Sequence, residues 1–221
     1  MTQLFPNVVW SEMLLATGQT LYMTLISGVF TFLFGLLLGL LLFLTDKGGL
    51  YQNSIIYRLT ASFVNVFRSI PFIILIILLI PLTVLILGTM IGTSAALPSI
   101  IIGSSPFFGR LVEIGLREVD KGVIEASQAM GASRFQIIYK VLIPESLPAI
   151  VSGMTVTLIA LIGNTAVAGV IGAGGLGTVA YNEGFEANNN DVTWAASIII
   201  LVIVFLIQFI GDRITRRIDK R

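Results

Sequence analysis

Residues 170–177 read VIGAGGLG, and Gly172, Gly174 and Gly177 stand at the spacing G-x-G-x-x-G. That spacing can cradle the pyrophosphate of a dinucleotide. It does so where a short strand precedes it, a helix follows, and an acidic residue lies about 20 positions on. Here the long apolar run 147–171 precedes it, and the polar stretch TVAYNEGFEANNND follows with no helical periodicity. The acidic residue Asp191 comes too early for the ribose. Gly172, Gly174, Gly175 and Gly177 are therefore read as a flexible outer hinge at the end of a membrane helix, where positive φ angles cost a glycine little.

Other reactive chemistry is sparse. The chain has no cysteine and no histidine, which removes thiol catalysis, disulfides, cysteine–histidine metal sites and the usual proton shuttle. No G-x-x-x-x-G-K-[ST] occurs, so the chain has no phosphate-binding loop of its own. The central stretches of its apolar segments carry no Asp, Glu, Lys or Arg, whereas proton-driven carriers and voltage sensors keep ionisable groups at that depth. Sodium coupling through the backbone carbonyls of a broken helix stays open; otherwise the energy for any work enters through another polypeptide. Asn164, Thr165 and Val167 are the candidate lining of a path across the membrane, with ordinary helix packing as the alternative. Arg68, in NVFRSIPF, is either a snorkelling cation at the membrane edge or half of an ion pair near a gate, and Pro71 marks a bend beside it. Gly35 and Gly39 form G-x-x-x-G, which either packs against a second copy or arises by chance in an apolar stretch.

The elements that must position these residues follow from composition. Of 221 residues, 56% are hydrophobic and 11% charged, with a mean hydropathy of +0.97; a soluble domain carries roughly 25% charged residues. About 20 apolar residues span a bilayer, and five segments qualify, near 20–44, 70–87, 95–116, 147–171 and 192–211. The leader has no Lys or Arg and the first apolar run is long, so this is not a cleaved signal peptide. Pro98, Gly103, Ser104, Ser105 and Pro106 predict an interrupted third span in a packed or pore-lining position. Residues 53–67 read as an amphipathic helix along the membrane surface.

The basic residues give orientation. Lys47, Arg58 and Arg68 separate spans one and two. Arg110, Arg117, Lys121, Arg134 and Lys140 separate three and four, and Arg213, Arg216, Arg217, Lys220 and Arg221 close the chain. The remaining loops have none. The positive-inside rule then places the N-terminus outside and the C-terminus in the cytoplasm.

The segment 118–146 carries the most information. Lys121–Met130 predicts a short helix ended by Gly131, and Ser133 with Gln136 predicts a capping box that starts another. Pro144 is expected to end that second helix, with Ser146 and Pro148 starting the fourth span. Val123, Ile124, Ala126, Ala129 and Met130 then offer apolar anchors. They suit a partner's groove or a resting place on lipid headgroups.

In this segment Glu125-Ala126-Ser127, Gly131 after three residues and Val141-Leu142-Ile143-Pro144 after nine more resemble E-A-A-x3-G-x9-I-x-L-P. That signature marks the membrane subunits of bacterial ABC importers. Ser127, Val141 and Ile143 depart from it by small changes in size. FVNVFRSIPFIIL (63–75), IGAGGLG (171–177) and IQFIGDRI (207–214) extend the likeness to the methionine-importer permeases.

The resemblance implies an all-α polytopic permease in one domain, with five spans and a cytoplasmic coupling loop, in the bacterial cytoplasmic membrane. It implies a homodimer, two copies of a cytoplasmic ATPase subunit holding ATP and magnesium, and an extracytoplasmic substrate-binding lipoprotein. It implies no cofactor or metal on this chain, no catalytic residue and no nucleic-acid partner. Glu125, Ala126, Ser127, Ala129, Met130, Gly131, Val141, Ile143 and Pro144 become the ATPase-docking loop, with Glu125 an orienting residue. Methionine, as either isomer, is the implied cargo; another amino acid or small solute is the alternative. An ATP-independent channel or ion-coupled carrier would leave the loop without a task.

Overall fold

A computed structural model describes residues 5–219; Lys220 and Arg221, counted among the terminal cations above, lie outside the described residues. The described residues are helical throughout their ordered elements, with no strand. In order these are α1 (Trp10–Thr45), α2 (Ser54–Ser69), α3 (Phe72–Leu78), α4 (Ile80–Leu87), α5 (Thr93–Arg117), α6 (Lys121–Ala129), α7 (Arg134–Ile137), α8 (Ile143–Val170), α9 (Gly175–Thr178) and α10 (Asn190–Ile218). Residues Ile138–Leu142 and Val179–Glu186 are π-helical. Four continuous helices are long and apolar enough to cross a membrane: 10–45, 93–117, 134–170 and 190–218.

The expected second span, 70–87, is two short helices rather than one. Ile70 takes an extended conformation (ψ 123°), as the residue before a proline is driven to do, and α2 meets α3 there at 108°. The Pro71 carbonyl restarts the helix by accepting from the N–H groups of Ile74 and Leu75. Pro81 lacks the N–H that would bond Ile77, and the chain breaks again at Leu79. A bent α2–α3 pair counted as one span brings the total to five.

The third span corrects the sequence reading in the other direction. α5 runs unbroken for 25 residues with Pro98 and Pro106 inside it. A larger share of α5 is buried than of any other long helix. Ser104, Ser105 and Pro106 are all buried there, and Ser105 Oγ returns to its own helix by donating to the Ile101 carbonyl at 2.7 Å. The packed position was expected; the interruption is absent.

α5 is the centre of the bundle, and glycine lets α1 approach it. A Cβ on Gly35 would lie 2.6 Å from Phe108 Cδ1, and one on Gly39 would lie 2.6 Å from the Gly109 carbonyl. A Cβ on Gly109 would in turn lie 3.1 Å from the Gly35 carbonyl. The G-x-x-x-G of α1 is thus a helix-packing site within the chain, and the contact with a second copy considered above is corrected. Gly115 and Gly153 bring α8 against α5, and Gly211 seats α10 on Thr155 of α8. The apolar core stacks along the bundle. Phe108, Val112, Leu116, Leu142 and Ile150 fill the α6 end; Met23, Ile100 and Leu161 fill the middle; Met13, Ile162, Leu176 and Val192 fill the far end.

Candidate functional site: the α6–α7 loop and its foot on α8

α6 is built from local chemistry. Asp120 caps it by accepting from Gly122 N at 2.6 Å. It ends in a Schellman turn: Ala132 N donates to Ser127 O, Gly131 N donates to Gln128 O, and Gly131 sits at φ +81°. Ser133 and Gln136 then form both bonds of the capping box. Both were legible from residue type and spacing.

α6 has no buried residue. Glu125, Ala126, Ala129 and Met130 are exposed, Met130 by 87%, and Val123 by 42%. Ile124 differs from the other expected anchors, since it packs inward on the core beneath α5. α6 is thus a nine-residue helix with an exposed apolar face and one inward anchor.

The second correction concerns Pro144. It does not end the helix that starts at Arg134; the chain stays helical from Arg134 to Val170, and Pro148 lies inside α8 rather than at its start. The π-turn at 138–142 accounts for this. Ile143 N bonds Ile138 O, one residue further back than in an α-helix, and the widened turn accommodates the ring of Pro144. Val141, Ile143 and Pro144 therefore stand at the foot of α8, away from the exposed face of α6. They lie within the 37-residue helix that follows the turn after α6.

Beside this loop lies a charge cluster that the sequence reading missed. Glu113, fully buried in α5, accepts from Arg110 and, at 2.7 Å, from Arg117. Arg117 also donates to Asp46 at the end of α1, again at 2.7 Å. The spacing of Arg110, Glu113 and Arg117 (i, i+3 and i+4) was the available signal. Burial pushes the Asp46 carboxyl up, but the Lys47 backbone N–H and the Arg117 guanidinium outweigh it and hold it below the usual carboxylate range. Asp46, Arg117, Lys121, Glu125 and Gln128 share a cavity of about 530 Å³ between α6 and the α1–α2 loop.

At the other end of the bundle, Gly172, Gly174 and Gly175 have φ between +82° and +94°. Gly177 is helical, packed on the Ala166 carbonyl. The turn is stitched down: Gly175 N donates to Gln19 Oε1, Leu176 N to Thr20 Oγ1, and Gly92 N to the Gly172 carbonyl. The Gly175 and Leu176 N–H groups, which a pyrophosphate would need at the start of α9, are spent inside the protein. Residues 175–186 are helical instead of the loop expected. Within them, burial pushes the Glu183 carboxyl up, and the carboxyl of Glu12 adds to the rise.

The remaining candidates are scattered. Asn164 Nδ2 donates to Ser104 Oγ of α5 at 3.2 Å. Thr165 is buried and returns its hydroxyl to the Ile162 carbonyl, and Val167 is half-buried. Arg68 is exposed in the last turn of α2, with no carboxylate partner among the described residues. Pro71 stands at the 108° bend.

Residues 32–221 match the family described as the binding-protein-dependent transport system inner membrane component. The chain belongs to this family. It is 62% identical over 217 residues to the methionine import system permease protein MetP of Bacillus subtilis, covering 98% of each chain. It is 46% identical over 203 residues to the D-methionine transport system permease protein MetI of Escherichia coli K12, covering 92% and 94%. Among solved structures, a chain of the inward-facing MetNI methionine ABC transporter superposes with a TM-score of 0.94 at 44% identity, over 96% and 98% of the two chains. An amino acid ABC transporter shares the fold at 20% identity, with a TM-score of 0.77 over 94% of each.

Proposed function

We propose that this chain is the membrane-spanning subunit of an ATP-driven methionine importer, working as a homodimer with two cytoplasmic ATPase subunits. Its relatives' names, which specify methionine and D-methionine, support the cargo, and both isomers are proposed. The observation that carries the mechanism is α6: a capped helix with no buried residue, joined through the short turn at Gly131 to a continuous spanning helix. The N-terminus is outside and the loop inside.

ATP and magnesium belong to the ATPase. Closure of the two ATPase subunits draws the docked α6 helices together, and α8 tilts as a rigid lever to open the dimer cavity outward. Hydrolysis reverses the tilt. Glu125 orients the docked helix, and Ala126, Ser127, Ala129 and Met130 fill the partner's cleft. Asn164 and Val167 border the path on α8. The glycine turn at 172–177 is the outer pivot, and an extracytoplasmic lipoprotein delivers the amino acid there.

The test is uptake of labelled methionine by vesicles holding this chain with its ATPase and binding protein. Uptake should require ATP and be competed by excess L- or D-methionine. Competition by other amino acids with none by methionine would overturn the cargo; flux without ATP would overturn the importer.

A further inference from the structure

A second cavity, of about 660 Å³, opens on the side of the bundle at the same end as α6. One half of its lining is apolar: Leu41 and Leu44 from the last turns of α1, and Ile56 from the first turn of α2. The other half is polar: Tyr51, Asn53 and Arg134. No acidic residue lines it.

The polar half is preset. Tyr51 N donates to Leu44 O and Asn53 N to Thr45 O, each at 2.9 Å, which folds the 46–53 loop back onto α1. Asn53 Oδ1 is consumed in capping α2 through Ile55 N and Ile56 N. The Arg134 guanidinium lies 5.1 Å over the Tyr51 ring, a cation–π contact that fixes it without neutralising it. Among the described residues no carboxylate pairs with Arg134, and neither Asn53 Nδ2 nor Tyr51 Oη has a partner.

We propose that this cleft binds an anionic phospholipid of the inner leaflet, its phosphate on Arg134, Tyr51 and Asn53 and an acyl chain along Leu41, Leu44 and Ile56. The proposal rests on the membrane orientation given above. A free anion would use the donors and leave the apolar half bare. A soluble subunit is disfavoured by what adjoins the cleft. Ile55, Leu59, Phe63 and Val66 continue from it as an apolar stripe along α2, each between 45% and 72% exposed. That stripe is suited to acyl chains.

The experiment is native mass spectrometry of the intact permease–ATPase complex, incubated with phosphatidylglycerol, with phosphatidylcholine, or with inorganic phosphate, for wild type and Arg134→Gln. Wild type should retain phosphatidylglycerol over phosphatidylcholine by about fivefold, the factor one basic residue near an anionic surface is worth. Arg134→Gln should lose that preference while keeping its ATPase subunits. Equal retention of the two lipids, or an unchanged preference in Arg134→Gln, would overturn the site. So would displacement of lipid by inorganic phosphate, which would mark a free-anion site. Loss of the ATPase from Arg134→Gln would overturn it in favour of a protein contact. Lipid retention is read without transport, so failure here and failure of methionine uptake are distinguishable.

Discussion

Replacing Gly39 by alanine tests whether α1 and α5 are held by glycine within one chain. The new Cβ would lie 2.5 Å from Val112 Cβ and 2.6 Å from the Gly109 carbonyl oxygen. Carbon atoms rest at about 3.5–4.0 Å, so α1 and α5 must part locally by about 1 Å. Because backbone stands on one side of the clash, a side-chain rotation cannot absorb it. Overpacking of this kind costs about 1–3 kcal/mol. At about 2–4 °C per kcal/mol for a chain of this size, the unfolding midpoint should fall by roughly 2–12 °C. Gly18→Ala on the same helix is the control, because a Cβ there meets nothing within 4 Å. It removes a helix glycine and should raise stability by about 0.5–1 kcal/mol. The two variants therefore move in opposite directions. The assay is thermal unfolding of the purified complex in detergent, with its mass measured in parallel. A Gly39→Ala complex that melts with wild type but falls to single permease chains would refute the reasoning, and would place Gly35 and Gly39 between two copies.

Three further outcomes follow from particular contacts. Glu113→Gln keeps the shape and removes the charge between Arg110 and Arg117, leaving them to repel. Losing one partner of a buried pair costs about 3–5 kcal/mol, but both arginines are over a third exposed and Arg117 keeps Asp46, so about 1–2 kcal/mol is expected in a melting experiment; an unchanged midpoint would show the arginines solvated without it. Gly131→Val forces a β-branched residue to φ +81° in open space, a strain of about 1–3 kcal/mol that misplaces α7 against α6. ATP-driven uptake should fall more than ATP hydrolysis by the complex, and equal rates to wild type would refute the lever. Asp46, held below its ordinary value by Lys47 N–H and Arg117, contributes stability that is present above about pH 4, its unfolded value, and lost as pH falls through its lower folded value. Asp46→Asn should show a smaller loss of stability between neutral and acid pH than wild type, and parallel profiles would count against the pair.

What the sequence made legible was chemistry acting over a few residues. The Ser133–Gln136 box, the Gly131 turn and the start of α2 at Asn53 are decided by side chains bonding the nearest backbone N–H groups, so spacing alone announces them. The misread prolines share one cause, which is that a breaker's effect depends on the packing and turn geometry around it. Pro106 was expected to interrupt α5, yet that helix, the most enclosed of the long ones, runs through it unbroken. Pro144 was expected to end a helix, yet one extra residue in the turn before it lets the helix continue. Pro81, in the same kind of apolar run but more exposed, does break the chain. Proline supplies the same defect at each position; the surroundings decide whether it becomes an end, a wide turn or nothing.

The same dependence separates the two glycine motifs. Gly172, Gly174 and Gly175 are required by their own positive φ angles, so the bend they make was legible. Gly35, Gly39 and Gly177 are ordinary helix positions by their backbone, and what requires glycine there is a carbonyl or side chain from another helix, such as Ser105, Gly109 and Val112 against α1. No local pattern names that partner. Glu113 is the charged counterpart. In the sequence it sits near the end of an apolar run, where nothing local marks it as buried. In the fold it is sealed between two arginines, directly behind the cavity where α6 and the α1–α2 loop meet. Residues that act by local bonding announce a site, whereas residues that act by burial are found only once the helices around them are in place.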